Sequence, residues 1–218
     1  MKKRKKIITV AIDSPAAAGA GTQAKLIAKH YNLYYLDTGK IYRFIGLIRL
    51  SDKKKFSYTS IKKKIKKIKI KDLQKKNLLS DEVANSAAVI AKNKKIRDIV
   101  HKFQQKCAYS PPIKYDGSVL DGRDIITLQV RDAMFKFFIT ASLKTRAKRR
   151  FKEYKSLKKK ITFNNVLKSL KNRDKSDRER KYGPLKKTKD SILINTTKLS
   201  RKRCFEKIKA IMDRKLNN

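Results

Sequence analysis

The stretch Ile8-Thr-Val-Ala-Ile-Asp13-Ser-Pro-Ala-Ala-Ala-Gly-Ala-Gly-Thr22 constrains this chain more than any other. An apolar, β-branched run ends in a turn of small residues, and a helix is predicted to begin near Gly21. That order of strand, tight turn and helix is the layout of an anion-binding loop, in which backbone N–H groups and a helix N-terminus cradle a phosphate. The pattern G-x-x-x-x-G-K-[ST] would put Gly at 14 and 19, Lys at 20 and Ser or Thr at 21. The chain has Ser14, Gly19, Ala20, Gly21 and then Thr22. The backbone cradle is retained, and the charge that grips the β- and γ-phosphates is missing from its place.

The rest of the chain alternates in the same way. A second short strand at 33–36 ends in Asp37-Thr-Gly39, and a helix pattern follows over 42–50. Strand, helix and strand within about 30 residues make a βαβ unit. Further strands are predicted at 118–122, 135–139 and 191–194, with helices over 22–31, 81–105 and 200–216. This indicates an α/β domain with a parallel sheet. Two segments stand outside it. Residues 51–80 are lysine-rich: Ile61, Ile65 and Ile68 fit helix spacing, while Ile68 and Ile70 alternate like a strand. They read as a small exposed insert. Residues 143–187 are strongly basic yet helical, with no evident core of their own, which suits a mobile excursion from the sheet.

Composition bounds the surroundings. The chain has 218 residues and a formal net charge of +42, from 60 basic and 18 acidic side chains. A nucleic-acid surface is one reading. Compositional drift toward lysine is the other, because the lysines are scattered among Ile and Leu along the whole chain rather than gathered in one tail. Cys107 and Cys204 are far apart and lack clustered His partners, so they read as reduced structural thiols of a cytoplasmic protein. The apolar run 7–12 is too short for a signal-peptide core, and no stretch is long enough for a membrane span.

Ligands of open α/β sheets bind at the carboxyl ends of the strands. The loops predicted there carry the anion loop, then Thr38, Lys40, Tyr42 and Arg43, and then Asp121-Gly-Arg-Asp124. Arg43 and Arg123 suit bidentate phosphate binding, and Asp124 could accept hydrogen bonds from an exocyclic amine. Arg173, Asp177 and Arg180 stand at i, i+4 and i+7, along one helical face; Arg146, Arg149 and Arg150 form a similar cluster. Phosphoryl transfer needs such groups, since its catalysis is mainly positioned positive charge.

These motifs, in order, resemble those of bacterial cytidylate kinases, of the nucleoside monophosphate kinase branch of P-loop NTPases. The resemblance rests on Ile-Asp13-Ser-Pro…Gly19-x-Gly21-Thr22, Leu36-Asp-Thr-Gly-x-x-Tyr-Arg43, Val83-Ala-Asn85…Ile96-Arg97, Asp121-Gly-Arg-Asp124 and Arg173-Asp…Asp177-x-x-Arg180, and it covers nearly the whole chain. It implies a five-stranded parallel sheet flanked by helices in one domain over 1–218. The core would be about 5–50, 85–142 and 183–216, the nucleotide-binding insert about 51–84 and the lid about 143–182. It implies ATP as phosphoryl donor to CMP or dCMP, with Mg²⁺. Ser14, Ala17, Ala18, Gly19, Ala20, Gly21 and Thr22 would hold the ATP phosphates, with Thr22 near the metal. Thr38, Arg43 and Arg123 would hold the CMP phosphate, Arg97 and Asp124 would read the cytosine, and Arg173, Asp177 and Arg180 would close from the lid. The expected protein is a cytoplasmic monomer with no membrane or obligatory nucleic-acid partner.

The departures are specific. Ser14 and Ala17 stand where the family usually has Gly, and their Cβ atoms crowd a tight turn unless φ is negative. Ala88 stands where a serine helps read the base, Ile126 replaces a Gly, and Ala20 replaces the loop lysine. Lys40 stands where a small or apolar residue is usual. It can serve as the substitute charge, as a catalytic group beside Arg123, Arg173 and Arg180; Lys25 is a second candidate. Three classes stay open on sequence: an active pyrimidine monophosphate kinase, an impaired nucleotide-binding homologue, and a basic nucleic-acid-binding protein on the same fold.

Overall fold

The computed structural model describes residues 7–51 and 56–217. The basic run 1–6, the start of the core at about residue 5, positions 52–55 of the insert and residue 218 lie outside the described residues. Five strands, β1 (Ile8–Asp13), β2 (Leu33–Asp37), β3 (Gly117–Gly122), β4 (Phe135–Thr140) and β5 (Ile192–Asn195), form one sheet in the order β2-β3-β1-β4-β5. Every pairing is parallel. The register sets Asp13 beside Gly122, Asp37 beside Asp121 and Thr140 beside Asn195, so the strands finish along one edge.

Eight α-helices lie among the described residues, besides short helical turns at Ile70–Gln74, Lys76–Leu79 and Ile125–Gln129: α1 (Ala20–His30), α2 (Thr38–Ser51), α3 (Tyr58–Lys67), α4 (Asp81–Ile90), α5 (Lys94–Tyr109), α6 (Leu143–Ser156), α7 (Phe163–Glu179) and α8 (Arg201–Leu216). Helices cover both faces of the sheet, which is why β1 reads as a continuous apolar run rather than an alternation. On one face Ala11, Leu36 and Leu120 pack with Ile41 and Ile45 of α2 and with Ile96 and Val100 of α5. On the other, Val10, Ile12 and Phe137 pack with Ala24 and Ile27 of α1 and with Ile208 and Met212 of α8.

Three expectations need correction. The helix read over 81–105 is two helices. The chain leaves α4 after Ile90, and the Asn93 side chain accepts from Ile96 N–H at 3.1 Å to start α5. That is an N-cap, which satisfies an orphan donor and restarts the helix in a new direction. The insert is not simply exposed: helix α3 takes in Ile61 and Ile65, which are buried in the same cluster as Ile41 and Ile45, and it ends before Ile68, which is extended. The basic excursion does have a core, in which Ala147, Val166 and Leu170 are buried with Ala16 of the anion loop, flanked by Phe151 and Phe163. Packing against Ala16 joins this helical pair to the loop directly.

Candidate active site

A cavity of about 570 Å³ opens at the carboxyl edge of the sheet, between the anion loop, the start of α2, the turn after β3, helix α4 and the α6–α7 pair. Its lining includes every site residue expected from the sequence: Ser14, Ala17 to Thr22, Thr38, Lys40, Arg43, Arg97, Arg123, Asp124, Arg173, Asp177 and Arg180.

The loop is built from backbone conformation. Gly19 has φ 96° and Ala17 has φ 61°. Ser14 is not among the described residues of positive φ, so its Cβ costs nothing, whereas Ala17 bears a left-handed backbone that disfavours a side chain. Residues in this conformation between ordinary ones form a concavity of N–H groups suited to an anion. The loop is held from behind. Arg146 donates to Ala16 O (3.2 Å), and Arg149 donates to Ala18 O (3.3 Å), as does the Thr196 hydroxyl (2.9 Å). Arg146 is itself fixed by a two-pronged pair with Asp174, at 2.9 and 2.6 Å. The α6 arginines that sequence left as a loose cluster therefore brace the loop.

Asp13 ties the loop to the turn after β3. It is fully buried and accepts from Ile125 N–H (2.8 Å) and Ile126 N–H (2.9 Å). Burial pushes its carboxyl up to about 7 in spite of those two donors. Next along the edge, burial and the neighbouring Asp37 push Asp121 up to about 8. The Asp121 Oδ1 atom is buried without a hydrogen-bond partner, and its carboxylate lies against Gly21, where an added Cβ would stand 3.4 Å from Oδ2. Thr38 is locked in place because its hydroxyl donates to Asp121 O at 2.7 Å.

The opposite wall is arginine. Arg43 reaches from α2 to the insert and donates to Leu78 O at 2.7 Å. Arg123 Nε donates to Asp177 at 2.7 Å, and Arg173 Nε lies 4.0 Å from the same oxygen. Burial, together with Arg123, Arg43 and Arg150, pushes the Arg173 guanidinium down to about 10, against the pull of Asp177. Four arginines thus line this part of the cavity, with Asp177 beside Arg123 and Arg173 and Glu153 paired with Arg150 at 2.8 Å. Arg180 does not extend the α7 face, since the helix stops at Glu179 and Arg180 is extended. It turns back so that its guanidinium lies 3.7 Å from both Asp124 and Asp177.

Deeper in, Arg97 is 2% exposed and pairs with Asp124. Arg97 also donates to Ala91 O (3.1 Å), and Gln129 donates to Asp124 (3.3 Å). Burial raises the Asp124 carboxyl, but His101, Arg97 and Arg180 together hold it below the usual range. Asp124 is therefore an ionised acceptor already held by cations, rather than a free one. Ala84, Ala87, Ala88 and Ala91 supply a wall of methyl groups beside this pair, and the Ser86 hydroxyl turns away to Gly46 O.

Sequence reasoning did not single out Asp13, Asp37 or Asp121 as site residues, nor Lys92, which also lines the cavity. The signal for the acids was position: Asp13 and Asp37 end their strands, and Asp121 is the last but one of β3. Lys40 lines the cavity half-exposed, its N–H bonded to Asp37 (3.3 Å), and its ammonium has no ion pair among the described residues.

Comparison with known proteins agrees with this geometry. A family model described as cytidylate kinase matches residues 10–214. A protein named cytidylate kinase from Clostridium botulinum (strain Loch Maree / Type A3) is 39% identical over 95% of this chain and 98% of its own. One of the same name from Thermosipho melanesiensis is 38% identical over 94% and 97%, and one from Bacillus pumilus 36% over 96% and 98%. A crystal structure of an uncharacterized protein from Eubacterium ventriosum shares the fold, with a TM-score of 0.54 at 18% identity, over 95% of this chain and 99% of that one.

Proposed function

The chain belongs to the cytidylate kinase family, and on that premise we propose how its cavity moves the γ-phosphoryl group of ATP to CMP or dCMP. The observation that carries the reading is that one cavity is lined both by the anion loop with its helix N-terminus and by Arg43, Arg123, Arg150 and Arg173. Two anionic groups brought between these walls meet, and one passes a phosphoryl group to the other.

The loop from Ser14 to Thr22 holds the donor phosphates through its N–H groups and the α1 N-terminus. Arg43, Arg123 and Thr38 hold the acceptor phosphate, and Arg97 with Asp124 reads the cytosine edge. Arg173 and Arg180 meet the negative charge that spreads over the transferring group, while Asp177 keeps them and Arg123 aimed. Closure of α6–α7 over the cavity excludes water that would otherwise take the phosphoryl group.

The acidic edge fits Mg²⁺. Among the described residues no cluster of three or more His, Cys, Asp or Glu could hold a metal unaided. Mg²⁺ suits that arrangement, because it takes one or two carboxylates together with substrate phosphates and waters. Asp121, with its unpartnered buried oxygen, and Asp37 would hold it with the Thr22 hydroxyl nearby. The ion would neutralise charge on the β- and γ-phosphates.

The chain acts as a monomer in this reading, since one chain supplies both walls. A cytoplasmic setting fits two cysteines that are free and buried, and no helix among the described residues is long and apolar enough to cross a membrane. A coupled assay of ADP release with magnesium ATP tests the reading on CMP, dCMP and UMP. Turnover with CMP or dCMP is expected, with UMP less disfavoured than a serine at 88 would make it. No ADP release with any of the three overturns the proposal.

A further inference from the structure

A second cavity, of about 730 Å³, lies on the far side of α5 from the Arg97–Asp124 pair, in the groove between α3 and α5. We propose that it is a binding site for a small amphipathic anion of the long-chain acyl carboxylate class, its chain along the groove floor and its head group among lysines at the rim.

The floor is apolar: Ile65 from α3, Ile99, Phe103 and Cys107 from α5, and the ring of Tyr34 from β2. Ile65 and Cys107 are buried, while Ile99 and Phe103 keep part of their surface open to the groove. A concave site of this size, apolar with few polar groups, is the ordinary form of a small-molecule pocket.

The rim is cationic on both sides. Lys62 and Lys66 stand four apart on α3, and Lys102 and Lys106 four apart on α5, so each pair makes a rail along its helix. All four are exposed, and none has an ion pair or hydrogen bond among the described residues. Asp98 is the one acid lining the groove, and its carboxylate is taken by Lys94 at 3.1 Å. Drift toward lysine accounts for cations on any solvated face. It does not account for an apolar cavity of about 730 Å³ opening between two such rails. Unbalanced positive charge around an apolar floor selects a ligand with both a long apolar body and a negative end.

The test uses 1-anilinonaphthalene-8-sulfonate as fluorescent probe on the full chain, with dodecanoate and dodecyltrimethylammonium as competitors of equal tail length and opposite charge. One saturable probe site per chain is expected. It should be displaced by dodecanoate at least about tenfold more readily than by the cation, and stay unchanged when CMP and magnesium ATP saturate the first cavity. Lys66→Glu with Lys102→Glu, both on the exposed rim, should weaken the probe about tenfold without lowering Tm, and Ile99→Glu should abolish the site. Equal displacement by both competitors, displacement by CMP, or full binding by the double lysine variant would each overturn the proposal, whatever becomes of the kinase reading.

Discussion

The missing loop charge can be assigned by a pair of substitutions, Lys40→Ala and Ala20→Lys, alone and combined. The structure sets the magnitude. Lys40 is held at the first turn of α2 by its own N–H on Asp37, two residues past the locked Thr38, and it lines the shared cavity with no ion pair among the described residues. A unit charge about 4 Å from a phosphoryl oxygen, at an effective dielectric of about 20, interacts by about 4 kcal/mol. Loss of one strong electrostatic group at a reacting centre costs about 3–4 kcal/mol by experience with oxyanion donors, or 10²–10³-fold in rate. Lys40→Ala should therefore lower kcat for CMP by about 10²–10³-fold, with a smaller change in KM for ATP, because the interaction strengthens as charge develops. Ala20→Lys should restore most of that loss in the Lys40→Ala background and change the parent enzyme little. Position 20 is 4% exposed and packed with Val10 and Ile12, so a lysine there must run its stem into the cavity. Tm is read alongside to separate strain from chemistry. A coupled ADP-release assay on all four proteins gives the cycle. A Lys40→Ala enzyme with kcat within twofold of the parent would refute the assignment and move it to Arg150 or Lys25, which line the same cavity.

Other outcomes follow from the same contacts. Asp124→Asn leaves the buried Arg97 guanidinium without its counter-charge, which should cost about 3–5 kcal/mol. Calorimetry should show Tm about 6–20 °C lower, and a fall under about 2 °C would mean that the pair is solvated. Ala17→Gly relieves the left-handed backbone at φ 61°. Net of added unfolded-state freedom the gain is about 0.5–1 kcal/mol, read as a Tm rise of about 1–4 °C; a lower Tm contradicts the strain. Asp13 and Asp121 are raised to about 7 and about 8, so between about pH 4 and those values the folded chain binds protons that the unfolded chain has released. Thermal stability should therefore fall as pH rises from 5 to 8, by about 2–3 kcal/mol for Asp13 alone. The depressed carboxylates, such as Asp124, act below about pH 4 and leave this window alone. A Tm that climbs from pH 5 to pH 8 would show that neither carboxyl is protonated in the fold.

The βαβ frame was legible because its signals are local. The runs at β1, β2, β3 and β4 are apolar and β-branched or aromatic, and each is bounded by a turn or by charge. The break between α4 and α5 was not read, although the residue that makes it, Asn93, is a good N-cap three places before Ile96. Without Gly or Pro nearby, the apolar spacing runs on through it. The lid's core was missed for another reason. Val166, Leu170, Phe151 and Phe163 are diluted among lysines, and their burial depends on Ala16, a loop residue more than a hundred positions away. In the site, residue identity and order located the arginines. The raised carboxyls of Asp13 and Asp121 come from burial and, in second place, from the nearby charges of Asp124 and Asp37, which only the assembled sheet edge provides.

In a chain carrying +42, a basic residue in itself says little, and the scarce acids carry the information. Asp124 holds Arg97 and lies near Arg180, Asp177 holds Arg123 and lies near Arg173 and Arg180, and Asp174 holds Arg146 behind the loop. Three of the chain's 18 acids thus hold Arg97, Arg123 and Arg146 directly and lie near Arg173 and Arg180. All of these cations are Arg, whose planar fork meets a carboxylate or a phosphate in a fixed direction, whereas Lys is a point charge on a flexible stem. The groups whose action depends on direction are thus arginines, in a chain otherwise rich in lysine. At the loop a point charge would suffice: Ala20 stands in the lysine position of the loop pattern, Lys40 lines the same cavity, and the Lys40→Ala and Ala20→Lys pair decides whether the one serves for the other.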